Sequence, residues 1–159
     1  MTPEAATTLY ANVIHLLREA GWKLQPSEQH RSITMLMEGR HGAWPCVVVV
    51  LEDEQQVVIY SASGLRVPPE RRATLAELVA RANFGMAIGN FELNLDTGEL
   101  RYKTSIDVSA SAIDGGLLDR LVRANIETMD RYLPAVAAAS HSEISAVDAL
   151  GRVDSDPAA

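Results

Sequence analysis

The stretch Trp44-Pro45-Cys46-Val47-Val48-Val49-Val50-Leu51, with Glu52-Asp53-Glu54-Gln55 after it and Gln56-Val57-Val58-Ile59-Tyr60-Ser61 beyond, decides the fold. Both apolar runs are rich in β-branched residues and are joined by a polar turn, so they read as successive strands. Pro45 stands near the start of the first run, where a missing donor costs little because few ladder bonds have formed. An antiparallel sheet with one wet face alternates apolar and polar residues. Residues 46–51 and 57–60 do not alternate. Their second face must therefore be covered, by helices of the same chain, by a second copy, or by a partner peptide.

Upstream, residues 31–38 alternate with Ile33, Met35 and Met37 on one face, and Gly39-Arg40-His41-Gly42 turns the chain into the Trp44 strand. Residues 23–25 are a further short strand. Over residues 4–20, Ala6, Leu9, Tyr10, Val13, Leu16, Leu17 and Ala20 recur at helical spacing, and Gly21 stops the helix they predict. Downstream, Ser63 to Pro68 reads as a loop into a second helix at 69–84, whose seam is Leu75, Leu78, Val79 and Ala82. A hairpin over 87–95 and 99–107 turns at Asp96-Thr97-Gly98, where glycine takes the positive φ such loops require. After a small-residue linker at 109–116, a third helix runs to Ala139, with Leu118, Val122, Asn125, Met129 and Val136 along one side. Pro134 should bend it or end its regular part.

The order α-β(3–4)-α-β-β-α predicts an α+β domain, an antiparallel sheet with three helices segregated from it. Residues 1–139 read as one domain. Residues 140–159, ending in Asp154-Ser155-Asp156-Pro157, read as a flexible acidic tail in which Ile144, Val147 and Leu150 offer only a marginal helical turn.

Length and composition agree with one aliphatic-cored domain: 159 residues, 47% hydrophobic, 5% aromatic. A net charge of −7 repels nucleic-acid phosphates and anionic lipid heads, so neither nucleic acid nor a membrane is the expected partner. No run approaches the roughly 18 apolar residues of a membrane span, and the N-terminus has no leader pattern. The single Cys46 lies in an apolar run, behaves as a small hydrophobe, and fits a reducing, cytoplasmic setting.

No catalytic constellation emerges. His15, His30, His41 and His141 lack metal-ligand spacing, and His30 and His41 flank a strand from opposite ends. Asp96-Thr97-Gly98 matches the aspartic-protease tripeptide, but Glu99 stands where a small residue belongs, and a hairpin turn explains all three. Ser61-Ala62-Ser63-Gly64 is not a nucleophile elbow, and no phosphate-binding glycine loop occurs. The acidic turn 52–54 needs no ion. Arg66, Arg71 and Arg72 form the one basic cluster, read as a solvated helix start or a seat for an acidic partner.

Residues 44–134 resemble the bacterial YbjN-domain family of sensory-transduction regulators. The resemblance rests on Ala82-Asn83, Gly89-Asn90-Phe91-Glu92-Leu93 and Asp96-Thr97-Gly98-Glu99-Leu100-Arg101-Tyr102-Lys103-Thr104, with Val67-Pro68-Pro69-Glu70-Arg71 and Asn125 to Pro134 in support. It implies a fold like that of type III secretion chaperones, commonly dimeric, in which an extended client segment wraps over apolar surface. It transfers no catalytic residue. Structural roles are preferred for its recurrent residues: Asn83 capping a helix end, Gly89 allowing close packing, Asn90 satisfying backbone, Phe91 filling the core.

The expected function is therefore a non-enzymatic, cytoplasmic protein-binding module, chaperone-like or regulatory, acting as a homodimer with no cofactor or metal. Val47, Val49, Leu75, Leu78 and Val79 are the candidate protein-binding or dimer residues. The alternative is a small-molecule sensor with a pocket between sheet and helices lined by Trp44, Tyr60 and Tyr102.

Overall fold

A computed structural model describes residues 7–153. Among them, six strands form one antiparallel sheet in the order β1-β2-β3-β4-β6-β5. The strands are β1 (Gln25–Ser27), β2 (Ser32–Glu38), β3 (Ala43–Leu51), β4 (Gln56–Arg66), β5 (Asn90–Leu93) and β6 (Glu99–Asp107). The helices are α1 (Leu9–Glu19), α2 (Arg72–Asn83, entered through a 3-10 turn at Pro69–Arg71), α3 (Gly115–His141) and α4 (Ala146–Leu150). The α+β class and element order are those expected, with a fourth helix added. Residues 4–6 of the expected first helix and Asp154 to Pro157 lie outside the described residues.

Strand pairing sorts the side chains into two sets. Ile33 and Met35 on β2, Cys46, Val48 and Val50 on β3, and Val57 and Ile59 on β4 point to one face and are buried against Leu9, Tyr10, Val13 and Leu17 of α1 and Leu118 and Val122 of α3. Farther along the same face, Trp44, Leu100, Tyr102 and Phe91 pack with Leu75, Leu78 and Ala82 of α2 and Met129, Leu133 and Val136 of α3. Each fully buried aliphatic side chain contributes roughly 1.5–3 kcal/mol of transfer free energy, so this helix-covered face holds the domain together. Asn125 of α3 enters that core and donates from Nδ2 to the Ile59 carbonyl (2.9 Å) and to Thr104 Oγ1 (3.1 Å).

Local chemistry explains the helix ends. Thr8 Oγ1 accepts from Ala11 N, and the Glu52 carboxylate from the acidic turn accepts from Leu9 N and Tyr10 N. An anion at a helix N-terminus is favoured both by the unsatisfied donors and by the helix dipole. α3 runs through Pro134 to His141, so of the two effects expected of the proline, ending the helix does not occur. Proline leaves the carbonyl four residues back without its donor; here that is Asp130, and His41 Nδ1 donates to it at 3.0 Å. The Asp130 carboxylate in turn accepts from Arg40 N and His41 N, pinning the β2–β3 turn to the helix.

Two expectations are corrected. β4 continues to Arg66 through the segment read as a loop, with a register shift between Ala62 and Arg66 at Gly64 (φ +71°). Ser63 Oγ donates to the Leu100 carbonyl, so serine substitutes for a lost ladder bond. The strand expected over 87–95 shrinks to Asn90–Leu93, because Gly85 and Gly89 at positive φ turn the chain before it. Within the segment read as flexible or marginally helical, Ala146–Leu150 form α4, which packs on α2 and α3 with Ala146 and Ala149 buried. Small alanines let that short helix sit close, and Arg71 ties it down by donating to the Ala139 carbonyl (2.8 Å) and the Ile144 carbonyl (2.6 Å).

Candidate functional site

Among the described residues, no helix covers the opposite face of the sheet. Pro45, Val47, Val49 and Leu51 of β3 and Val58, Tyr60 and Ala62 of β4 point to this face; the four β3 residues, Tyr60 and Ala62 are half-buried, while Val58 is buried. Cross-strand register places Val47 beside Tyr60 and Val49 beside Val58, forming a continuous apolar stripe two strands wide. On the β2 side its neighbours are the small polar Ser32 and Thr34, with Leu36 opposite Pro45 and 73% exposed. On the β6 side the neighbours are Arg101, Lys103 and Ser105.

The β6 border is electrostatically organised. Arg101 lies over the Tyr60 ring at 4.1 Å. Its Nε and the Lys103 Nζ both donate to the Glu92 carboxylate at 2.6 Å. Burial acts to raise the Glu92 pKa, but these two hydrogen bonds and charges outweigh it, so the carboxyl is held below its usual value. Two cations thus share one anion in the middle of β6, with Glu99 and Asp107 at the strand's two ends. A shallow depression of about 290 Å³ lies along β4 and β6, lined by Val58, Tyr60, Lys103 and Ser105, with Gln56, Ile106 and Asp107 toward one end.

Both outer strands of the sheet are closed to pairing at defined points. The Asn83 side-chain amide takes the Phe91 N–H (2.7 Å) on Oδ1 and donates to the Phe91 carbonyl (3.0 Å) from Nδ2, imitating a neighbouring strand on the outer edge of β5. Asn90 Nδ2 adds a bond to the same carbonyl. A Cβ on Gly89 would strike the Lys103 carbonyl and the Tyr102 hydroxyl, which donates to the Ile88 carbonyl. Phe91 packs on Tyr102 and Tyr132 at 4.8 and 5.0 Å between centroids. Asn83, Gly89, Asn90 and Phe91 therefore all have structural roles. At the other edge, β1 is three residues long and contains Pro26, which has no N–H to offer.

Of the sequence-derived residues, Val47 and Val49 lie on the open stripe. Leu75 and Leu78 do not reach any surface: both are 0% exposed and fill the core beneath α2. Their helical spacing marks the face that α2 buries, which the sequence cannot tell from an interface face. Val79 is half-buried against the same core. Trp44, Tyr60 and Tyr102 do not converge on a pocket. Trp44 and Tyr102 belong to the covered face, where Trp44 Nε1 donates to Ser61 Oγ, while Tyr60 lies on the opposite one, paired with Val47.

Arg71 and Arg72 are consumed internally, Arg72 donating to the Val67, Leu95 and Asp96 carbonyls. Cys46 is buried, and desolvation pushes its thiol up to about 12, leaving it inert. Among the described residues no cluster of His, Cys, Asp and Glu could hold a metal ion, and no helix is long and apolar enough to cross a membrane. Unforeseen from sequence were the Glu92–Arg101–Lys103 border and the loop after α2, where Phe84 is 91% and Ile88 52% exposed. The signal for Phe84 was available: it follows directly on the last helical residue, Asn83, outside the seam.

The chain matches the YbjN family model, described as "Putative bacterial sensory transduction regulator", over residues 10–138. No curated protein sequence matches it. Among solved structures, the fold is similar to that of YbjN from E. coli, with a TM-score of 0.57 at 11% identity over 74% of this chain and 83% of that one. It is also similar to a chain of the HopA1-SchA chaperone-effector complex, with a TM-score of 0.52 at 14% identity over 78% of this chain and 92% of that one.

Proposed function

The chain belongs to the YbjN family, and we propose that it is a non-enzymatic protein-binding module, chaperone-like or regulatory, working in the cytoplasm as a homodimer. The uncovered apolar stripe on β3 and β4 carries this reading. Contiguous apolar surface rimmed by polar groups marks a place where another protein docks. The fold it shares with a chain from a chaperone-effector complex supports the same reading. The homodimer draws its support from a second, separate apolar surface, the loop holding Phe84 and Ile88 in solvent. Asn83 and Tyr102 fix that loop from both ends; a preorganised aromatic is the kind of residue that anchors an interface.

Two measurements test the two halves. In affinity capture from the native host, the Val49→Lys variant loses the partner held by the wild type; equal capture by both removes the stripe from the function. In sedimentation at micromolar concentration the wild type runs as a dimer and Phe84→Ser as a monomer. A monomeric wild type ends the dimer proposal.

A further inference from the structure

We infer that the open sheet face is the seat of a single amphipathic helix of a partner protein, apolar beneath and acidic along one flank at its midpoint. This rests on the protein-binding reading above and names the occupant of that surface. Three features of the face select it.

Size comes first. From Pro45 to Leu51 the stripe is roughly 20 Å long at the usual rise per strand residue, and two strands make it roughly 10 Å wide. That footprint matches one helix of about 14 residues, which is about 21 Å long and 10–12 Å across. A second copy docked sheet to sheet would need about 800 Å² from each partner, and could reach it only by burying Thr34, Ser32, Lys103 and Arg101 on the flanks.

Backbone bonding comes second. The stripe lies on strands that are paired on both sides, β3 between β2 and β4, and β4 between β3 and β6. An extended segment laid across it finds no free ladder partners and leaves its own N–H and C=O groups unsatisfied. The β5 edge, where such a segment could pair, is occupied at Phe91 by the Asn83 amide. A helix satisfies its backbone internally. Its side chains enter the depression lined by Val58, Tyr60, Lys103 and Ser105.

Charge comes third and sets the orientation. Arg101 and Lys103 share the single Glu92 carboxylate, so the middle of the β6 border is a cationic rung, while Ser32 and Thr34 on the other border are neutral. A carboxylate on the helix flank over β6 completes that rung; a lysine there repels it.

The test uses the full chain with labelled valine methyl groups, and synthetic peptides of about 14 residues as probes. One peptide has leucines at helical spacing and glutamates on one flank. A second replaces the glutamates with lysines, and a third carries a central proline that breaks the helix. The acidic helical peptide shifts the Val47, Val49 and Val58 methyl signals and binds at least tenfold tighter than either control. Val49→Lys abolishes the shifts, and Lys103→Glu reverses the preference between acidic and basic peptides. Equal binding of the proline peptide, or no shift at millimolar peptide, overturns the helix. Methyl shifts that depend on protein concentration without peptide overturn it in favour of a second copy. If every peptide fails while Val49→Lys still abolishes capture from the host, the protein-binding reading stands and the helix falls alone.

Discussion

The two faces of β3 are built from nearly the same side chains and live in different surroundings. Cys46, Val48 and Val50 are sealed beneath α1 and α3, whereas Val47 and Val49, one residue along, are half-buried on the opposite face, which no helix of the described residues covers. Chemistry does not distinguish the sets; coverage does. A run of consecutive valines specifies that both faces avoid water, but only the placement of the helices decides which face the chain covers itself.

That contrast is broken most severely by charge. Val48→Asp places an unpaired carboxylate in the core and should leave the protein unfolded, a loss above about 4 kcal/mol, while Val47→Asp should keep a native circular-dichroism spectrum and lose at most about 1 kcal/mol in urea melts. If both unfold, the open face is structurally essential. Next in size, Leu78→Ala should cost about 2–5 kcal/mol, the range for truncating a leucine in a packed core, which urea titration measures; a cost below 1 kcal/mol would return Leu78 to the surface.

Asn83→Ala leaves the Phe91 N–H and carbonyl without their shared partner and should cost about 1–3 kcal/mol. It also uncovers the β5 edge, so concentration-dependent aggregation by light scattering should rise. Glu52→Ala removes the acceptor for two α1 amides and should cost about 0.5–2 kcal/mol, with early hydrogen exchange confined to Leu9 and Tyr10.

The smallest effect is on pH dependence. For Asp119, as for Glu92, burial acts to raise the pKa but loses to partners, here Arg123 and Trp22, and the net direction is down. A depressed carboxylate contributes stability that is full above its unfolded pKa, about 3.9 for Asp and 4.3 for Glu, and lost as pH falls through the folded value. Urea midpoints should therefore drop below about pH 4.5, and the Glu92→Gln, Asp119→Asn double variant should flatten that drop. An equally steep fall in the double variant would mean that other groups govern it.

How much of this was legible in the sequence follows from range. Element order, the β6 boundaries and the Asp96-Thr97-Gly98 turn come from local pattern and were readable. The continuation of β4 was not, because Ser63-Gly64 has loop composition and only pairing with β6 makes it a bulge. The helical turn of α4 was readable at Ile144, Val147 and Leu150, but its docking was not, because it depends on Arg71, more than 70 residues earlier in the chain than Ile144. On the open face, Val47 and Val49 were readable as apolar residues lacking a polar alternate. The burial of Leu75 and Leu78 beneath α2 was not readable, because an amphipathic seam has the same spacing whether it faces the chain's own sheet or another molecule. The Glu92–Arg101–Lys103 border depends on the β5–β6 register, which brings residues nine and eleven apart onto one face.

The central claim is that one face of this sheet is open while its mirror set is sealed, and thiol labelling of Val47→Cys tests it most directly. The native Cys46 beside it is the internal control, buried and with its thiol pushed up to about 12. The account predicts that one thiol reacts within minutes in the native protein and the second only after unfolding. Two thiols that both resist labelling until the protein unfolds would show the face to be covered and would contradict it.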